Sequence, residues 1–310
     1  LEPDSDIFSR DFLVSATVFS FAVLVVLVII GMITPLLVKL TGGGEISLDS
    51  TYFNLRTAPL AFILVFLLCA CLLAGAVKKN YMIATTIAVL LFSALFALIP
   101  PAGDWRLGIF IPPVTAALTA VLFRISRIVK TRSGPSLLKG LGAHVIHIGI
   151  LLVIIGVVAS STMQTEDSAV LTQGIPGFFE GMQYTIQVQD MESGYTGTPY
   201  SYYPGSSYVT DVSFDIYKNG VYFDSGTLRY ITDIKWQQTY TSTYINRGFF
   251  EELFIAPRAL DETTGEVDLY IRVVPFITFV WAGILFMTAG MLILVSSLFL
   301  YRKKPEEAEA

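Results

Sequence analysis

Six runs of apolar residues, at about 13–37, 58–77, 81–100, 106–124, 141–160 and 274–301, constrain this chain more than any other feature. Each is close to the roughly 20 residues that an α-helix needs to cross the hydrocarbon core of a bilayer. In that core only a segment that satisfies its own backbone hydrogen bonds is stable. With 54% hydrophobic and 15% charged residues over 310 positions, a water-soluble fold has no means of hiding the apolar surface. The chain reads as a polytopic α-helical membrane protein. In the fourth run, Pro112-Pro113 predicts a kink or a late helix start, because proline lacks the backbone donor and clashes with the preceding turn.

The basic residues predict an orientation. Lys78 and Lys79 follow the second span; Arg124, Arg127, Lys130, Arg132 and Lys139 fill the fourth connection; and Arg302, Lys303 and Lys304 follow the sixth. A cytoplasmic N-terminus, with Arg10, puts all these clusters on the inner side, as the positive-inside rule requires. Six spans then make both ends cytoplasmic. This predicts three parts in the cytoplasmic membrane: a five-helix membrane domain over 1–160, an extracytoplasmic domain over 161–272, and a final helix with a basic cytoplasmic tail over 273–310.

Residues 161–272 change character abruptly, with fifteen Asp and Glu against six Lys and Arg. "YTIQVQ", "YVTDVSFDIY" and "VYFDSGTLRYI" alternate with the period of strands, and Asn219-Gly220 suits the two-residue turn of a hairpin. This domain is therefore expected to be mostly β. "MESGYTGTPYSYYPGSSY" has no period and reads as a long polar-aromatic loop.

The remaining chemistry is sparse. A net charge of -5 leaves no basic footprint, so no nucleic-acid partner is expected. Cys69 and Cys71, inside "LCACLL", read as inert buried thiols, and the sequence holds no CxxCH of its own. The chain begins with Leu1, which predicts processing or a piece of a longer protein; "LEPDSDIFSRD" lacks the charged n-region of a signal peptide.

The only two histidines, His144 and His147, stand in "GAHVIHIGILLVIIGVVASS", inside the fifth span. Ionisable groups at such depth mark a cofactor, an ion path or a proton relay more often than chance. Three residues apart, the two lie on one helix face. Gly142, Gly149 and Gly156 recur every seven residues on a nearly opposite face, a stripe that lets a neighbouring helix approach closely. His147 lies about 10 Å along the helix from Gly140, too deep for a comfortably hydrated imidazolium. Three readings fit: a structural imidazole bonded to a neighbouring backbone, a ligand of a b-type haem, or a proton relay. Two imidazoles on one face cannot ligate opposite sides of one porphyrin, so a bis-histidine haem would take its second ligand from another chain.

Several separated segments resemble the C-terminal half of the CcmF family, the haem lyases of cytochrome c maturation. "SRDFLVSATVFSFAVLVVLVIIGMITPLL" is similar to that family's "SRE-x-FLLLNN…GT-x-YPLL", with Gly31 and Pro35 in place. "ISLDSTYFNLRTAPL" resembles "ISVG-x-x-YFN-x-x-x-x-PL" through Tyr52, Phe53, Asn54, Pro59 and Leu60. "GAHVIHIG" resembles "G-M-x-x-A-H-x-G" at Gly142, His147 and Gly149, and "GFFEELFIAP" is similar to a degenerate "RDLYV-x-LG". "VVPFITFVWAGILFMTAGMLIL" resembles the family's last span through Pro275, Phe276, Trp281, Gly283, Met287 and Gly290. Val274 departs from an expected lysine, Phe279 from a tryptophan, and His144 stands where the family carries an apolar residue.

The resemblance implies a subunit of a split haem lyase or a fragment of a longer one, inactive without its N-terminal half. It implies a transmembrane haem b with His147 as one axial ligand of the iron, and His144 as an alternative ligand or hydrogen-bond partner. It also implies an N-terminal partner half, an apocytochrome c, a CcmE-like haem chaperone and a membrane quinol. The competing expectation is a quinol-linked b-haem electron-transfer subunit with no part in maturation. A third, an ectodomain on a membrane anchor, leaves both histidines without a purpose.

Overall fold

The computed structural model describes residues 9–306 except 45, 75, 102 and 197–204. It contains six helices long and apolar enough to span a membrane: α1 (Arg10–Leu40), α2 (Ser50–Leu73), α3 (Lys79–Leu98), α4 (Trp105–Thr131), α5 (Gly134–Met163) and α6 (Ile277–Glu306). Among the described residues, nine strands separate the last two helices. The chain divides into two compact units, one built from residues up to Val158 and from Phe279 onward, the other Ala159–Thr278.

In the membrane unit the helix ends differ from the apolar runs for identifiable reasons. α2 starts at Ser50, well before its apolar run, because Asp49 caps it by accepting from the Tyr52 N–H at 3.0 Å. α4 continues to Thr131 because its polar end has a job. Arg124 donates to the Leu72 and Ala74 carbonyls, both at 2.6 Å, and Arg127 to that of Ala76 at 3.0 Å. These are carbonyls at and just beyond the C-terminus of α2, where the helix leaves its last acceptors unpaired and where its dipole favours a cation.

The two prolines do not delay α4, which runs from Trp105 through Pro112 and Pro113. Pro113 offers no N–H to the carbonyl of Ile109, and the buried hydroxyl of Ser93 on α3 donates to that oxygen instead, at 3.1 Å. A side chain from the preceding helix thus replaces the lost backbone bond. α2 and α4 bury Val65, Cys69, Leu72, Val114, Ala117 and Val121 together, with Leu151 of α5 in the same core. Cys69 and Cys71 are both free thiols. The motif residues of the first two spans also meet: a Cβ on Gly31 would lie 2.5 Å from the Phe53 ring, and Tyr52 packs edge-on to Phe53.

The second unit is a pair of antiparallel sheets around one core. One sheet orders β1 (Thr165–Thr172), β9 (Glu266–Pro275), β8 (Glu251–Asp261) and β7 (Tyr244–Arg247). The other orders β2 (Pro176–Phe178), β3 (Tyr184–Thr196), β4 (Ser207–Lys218), β5 (Val221–Asp233) and β6 (Gln238–Thr241). Inward positions alternate: Ile186 and Val188, then Val212, Phe214 and Ile216, face Leu253, Ile255, Val267, Leu269 and Ile271. Asn219 and Gly220 turn the β4–β5 hairpin with φ of 52° and 77°, both positive as a type I′ turn needs.

The expected loop over 191–208 is shorter than the sequence suggests. Met191–Thr196 extends β3, paired with Ser207–Val212 of β4, and the middle of the segment lies outside the described residues. Pairing with β4 holds this outer part of the hairpin, helped by Tyr195 packed edge-on to Tyr208 and by side-chain bonds to Glu262. Glu192, Ser193, Gly194 and Thr196 give this stretch of β3 no apolar alternation to read. At the other end of the unit, Val274 and Pro275 belong to β9, so α6 begins later than its apolar run.

Candidate functional site

Both histidines fall on α5, one turn apart. The ring nitrogen Nδ1 of His144 lies 2.8 Å from the carbonyl oxygen of Gly140, one turn earlier. A proton on Nδ1 donating there leaves the Nε2 lone pair unprotonated, the arrangement by which proteins orient a metal-binding imidazole. His147 differs. Its Nδ1 is buried and, among the described residues, finds no hydrogen-bond partner. The rings stand edge to face, with centroids 5.8 Å apart and planes at 88°. So disposed, they cannot present parallel faces to one flat ligand.

The opposite side of α5 is closed. A Cβ on Gly149 would lie 2.6 Å from the carbonyl oxygen of Gly283 on α6, and one on Gly142 would lie 2.9 Å from that of Gly290. The glycine stripe is therefore the seam on which α6 packs, antiparallel, with Ile146 and Val153 filling the flanks. Gly140, whose carbonyl holds His144, is itself pressed against Ile128 of α4, whose side chain would lie 3.0 Å from a Cβ at that position. The Gly140 tether was hidden in the sequence; a glycine four residues before a histidine is its only mark.

The haem that the resemblance implies would be held on this helix by a neutral imidazole. A buried imidazole nitrogen without a partner is costly. Metal ligation is one way in which such a nitrogen is satisfied. The side chains present fit the group on that ground, with one ligand from this chain. Among the described residues no three His, Cys, Asp or Glu side chains converge as a metal site, so the pair stands alone as a donor set. A cleft of about 610 Å³ between α3 and α4, lined by Val89, Phe92, Phe96, Pro112, Thr115 and Thr119, includes neither histidine.

The β unit carries hydrogen-bonded carboxylate clusters, among them those of Glu251, Glu262 and Asp224, the last accepting from Tyr244 and Asn246. Glu251 accepts from the Tyr184 hydroxyl at 2.7 Å and pairs with Lys218. Glu262 accepts from Ser193, Tyr208 and Thr210. These bonds tie β8 and the β8–β9 turn of one sheet to β3 and β4 of the other.

Six spanning helices with a two-sheet unit inserted before the last define the class: a multi-pass membrane protein with a β-rich insertion. Its fold is shared with a solved structure of "Cytochrome c Heme Lyase CcmF", at a TM-score of 0.71 and 18% sequence identity. The likeness covers 93% of this chain but 46% of that one, so the chain spans less than half the length of the protein it matches. No family model matches the sequence, and no curated protein matches it.

Proposed function

We propose that this chain is the C-terminal part of a cytochrome c haem lyase, acting with an N-terminal half to attach haem covalently to apocytochrome c. The observation that carries this reading is the fold shared with a cytochrome c haem lyase over 93% of the chain. The attachment adds each cysteine S–H across a haem vinyl group, with sulfur going to one carbon and hydrogen to the other. That addition needs reduced thiols and ferrous haem rather than a strong acid or base, so positioning and redox control dominate.

In this reading His147 would hold the iron of a transmembrane haem b, with a second ligand from the partner half. Its unpaired, buried Nδ1 supports the assignment. When bound, such a haem would supply one-electron redox chemistry, with membrane quinol as the source of electrons. The chain's own contribution is a neutral imidazole held on a rigid helix, with the glycine seam to α6 fixing the side opposite the histidines. Both chain ends are cytoplasmic and the β unit is extracytoplasmic, where it meets apocytochrome c and a CcmE-like haem chaperone. The acidic composition of residues 161–272 supports steering of basic partners.

The test is haem extraction and absorption spectroscopy on the chain purified with its N-terminal half. A b-type spectrum that disappears in His147→Ala and persists in His144→Ala is the expected result. Loss in His144→Ala alone would move the ligand to His144, and absence of haem from every preparation would refute a ligand on α5. Thioether-linked cytochrome c formed only when both halves are present would separate a lyase from a quinol-linked electron-transfer subunit.

A further inference from the structure

The passage from the β unit into α6 is fixed at one point. Phe276 holds a left-handed φ of 59°, and its N–H donates to the Phe250 carbonyl at 2.6 Å. Its ring meets that of Phe250 edge-on, with centroids 6.3 Å apart. The Thr278 hydroxyl donates to the Gly248 carbonyl at 2.9 Å. Residues 248–250 are therefore bonded to the residues that lead into α6, a helix long and apolar enough to span a membrane.

The β4–β5 hairpin reaches the same end of the unit. Lys218, where β4 ends, pairs with Glu251, the residue after Phe250. Phe223 packs on Tyr184, whose hydroxyl bonds that same Glu251, with ring centroids 5.7 Å apart. Around this end Val221 is 69% exposed, Tyr222 57%, Phe223 41%, and Phe249 and Phe250 64% each. So many large apolar side chains together mark an interaction surface. Aromatic rings are favoured at the boundary between headgroups and acyl chains.

We propose that the hairpin 218–223 and the turn 248–250 form a membrane-interface surface, whose occupant is the lipid bilayer itself. The β unit is then anchored by inserted side chains as well as by its two covalent links to α5 and α6. What selects lipid over a soluble protein is that the patch is bonded to residues that lead into the spanning helix. The inference does not depend on any haem chemistry.

Spin-label accessibility tests it on the full chain in vesicles of phosphatidylcholine and phosphatidylglycerol. In a background of Cys69→Ala and Cys71→Ala, labels go on Tyr222→Cys, Phe250→Cys and Thr264→Cys. Thr264 lies in the β8–β9 turn, a ten-residue strand away from α6, or about 30 Å. The ratio of oxygen to nickel-chelate accessibility should be several-fold higher at 222 and 250 than at 264, with or without the N-terminal half. Equal ratios at all three sites would overturn the proposal. So would labels at 222 and 250 that neither reagent reaches once the partner half is present, since protein would then occupy the surface. The site at 222, exposed on a hairpin, keeps the test valid if the change at 250 disturbs folding.

Discussion

Gly149 and Gly283 face each other across α5 and α6 so closely that a Cβ on either would lie 2.6 Å from the other's carbonyl oxygen. Neither backbone can move aside without opening the helix pair. Gly149→Ala is therefore expected to cost about 1–3 kcal/mol, the range of overpacking in a tight interior. The check is the unfolding midpoint in mixed detergent micelles. Gly283→Ala should behave alike, and the double substitution should cost less than the sum, because one separation of the helices relieves both clashes.

Ser93 and Ile109 supply a second, polar contact inside the membrane unit. Ser93→Ala removes the donor and leaves the Ile109 carbonyl unpaired beside Pro113. Hydrogen bonds between membrane helices are worth about 0.6 kcal/mol on average and up to about 1.7. Loss near the upper figure is expected, since Pro113 removes the backbone alternative. Pro113→Ala restores that backbone donor, so Ser93→Ala should cost measurably less in the Pro113→Ala background. Equal cost in both backgrounds would show that the hydroxyl does not replace the missing bond.

These two contacts differ in how readable they are. The glycines recur at seven-residue spacing, so the seam on α5 was visible in the sequence, as were six spans and the alternating strands. Ser93 was not, because nothing local marks a serine as the partner of a carbonyl sixteen residues away. The early start of α2 depends on the Asp49 cap rather than on hydropathy, and the outer half of β3 depends on pairing with β4. His144 and His147 stood out by their rarity and by their place inside an apolar span. Their unequal bonding, one Nδ1 held by Gly140 and one left unpaired, depends on how α5 is packed by its neighbours.

The β unit should lose stability in acid, and a single carboxylate should carry part of the loss. Burial pushes the Glu251 carboxyl up, but hydrogen bonds from Lys218 and Tyr184 outweigh it and hold it below its usual value. A carboxylate depressed on folding stabilises the fold above its unfolded value of about 4.3. That contribution fades as pH falls through the lower folded value. Glu251→Gln should reduce the acid-limb slope of stability against pH, measured by tyrosine near-ultraviolet circular dichroism. The alkaline limb has the opposite cause. Burial first, then Asp224, push Tyr244 up to about 12, so its contribution is lost as pH rises above about 10. An acid limb unchanged by Glu251→Gln would show that other carboxylates govern it.

Arg124 carries two signals that can be separated. It is one of the cations from which a cytoplasmic fourth connection was deduced, and it also donates to the carbonyls of Leu72 and Ala74. A lysine keeps the charge but cannot reach both oxygens with a fixed fork. Arg124→Lys should therefore lower the detergent unfolding midpoint and leave orientation unchanged. Orientation is read with a membrane-impermeant maleimide on intact cells, in a background lacking Cys69 and Cys71. Under the proposed topology Thr264→Cys is labelled from outside, and Lys130→Cys only after permeabilisation. Under that topology many other basic residues share the inner side, so the one charge lost in Lys130→Cys should not invert the chain. Labelling of Lys130→Cys on intact cells would reverse the assigned sidedness and put the β unit in the cytoplasm.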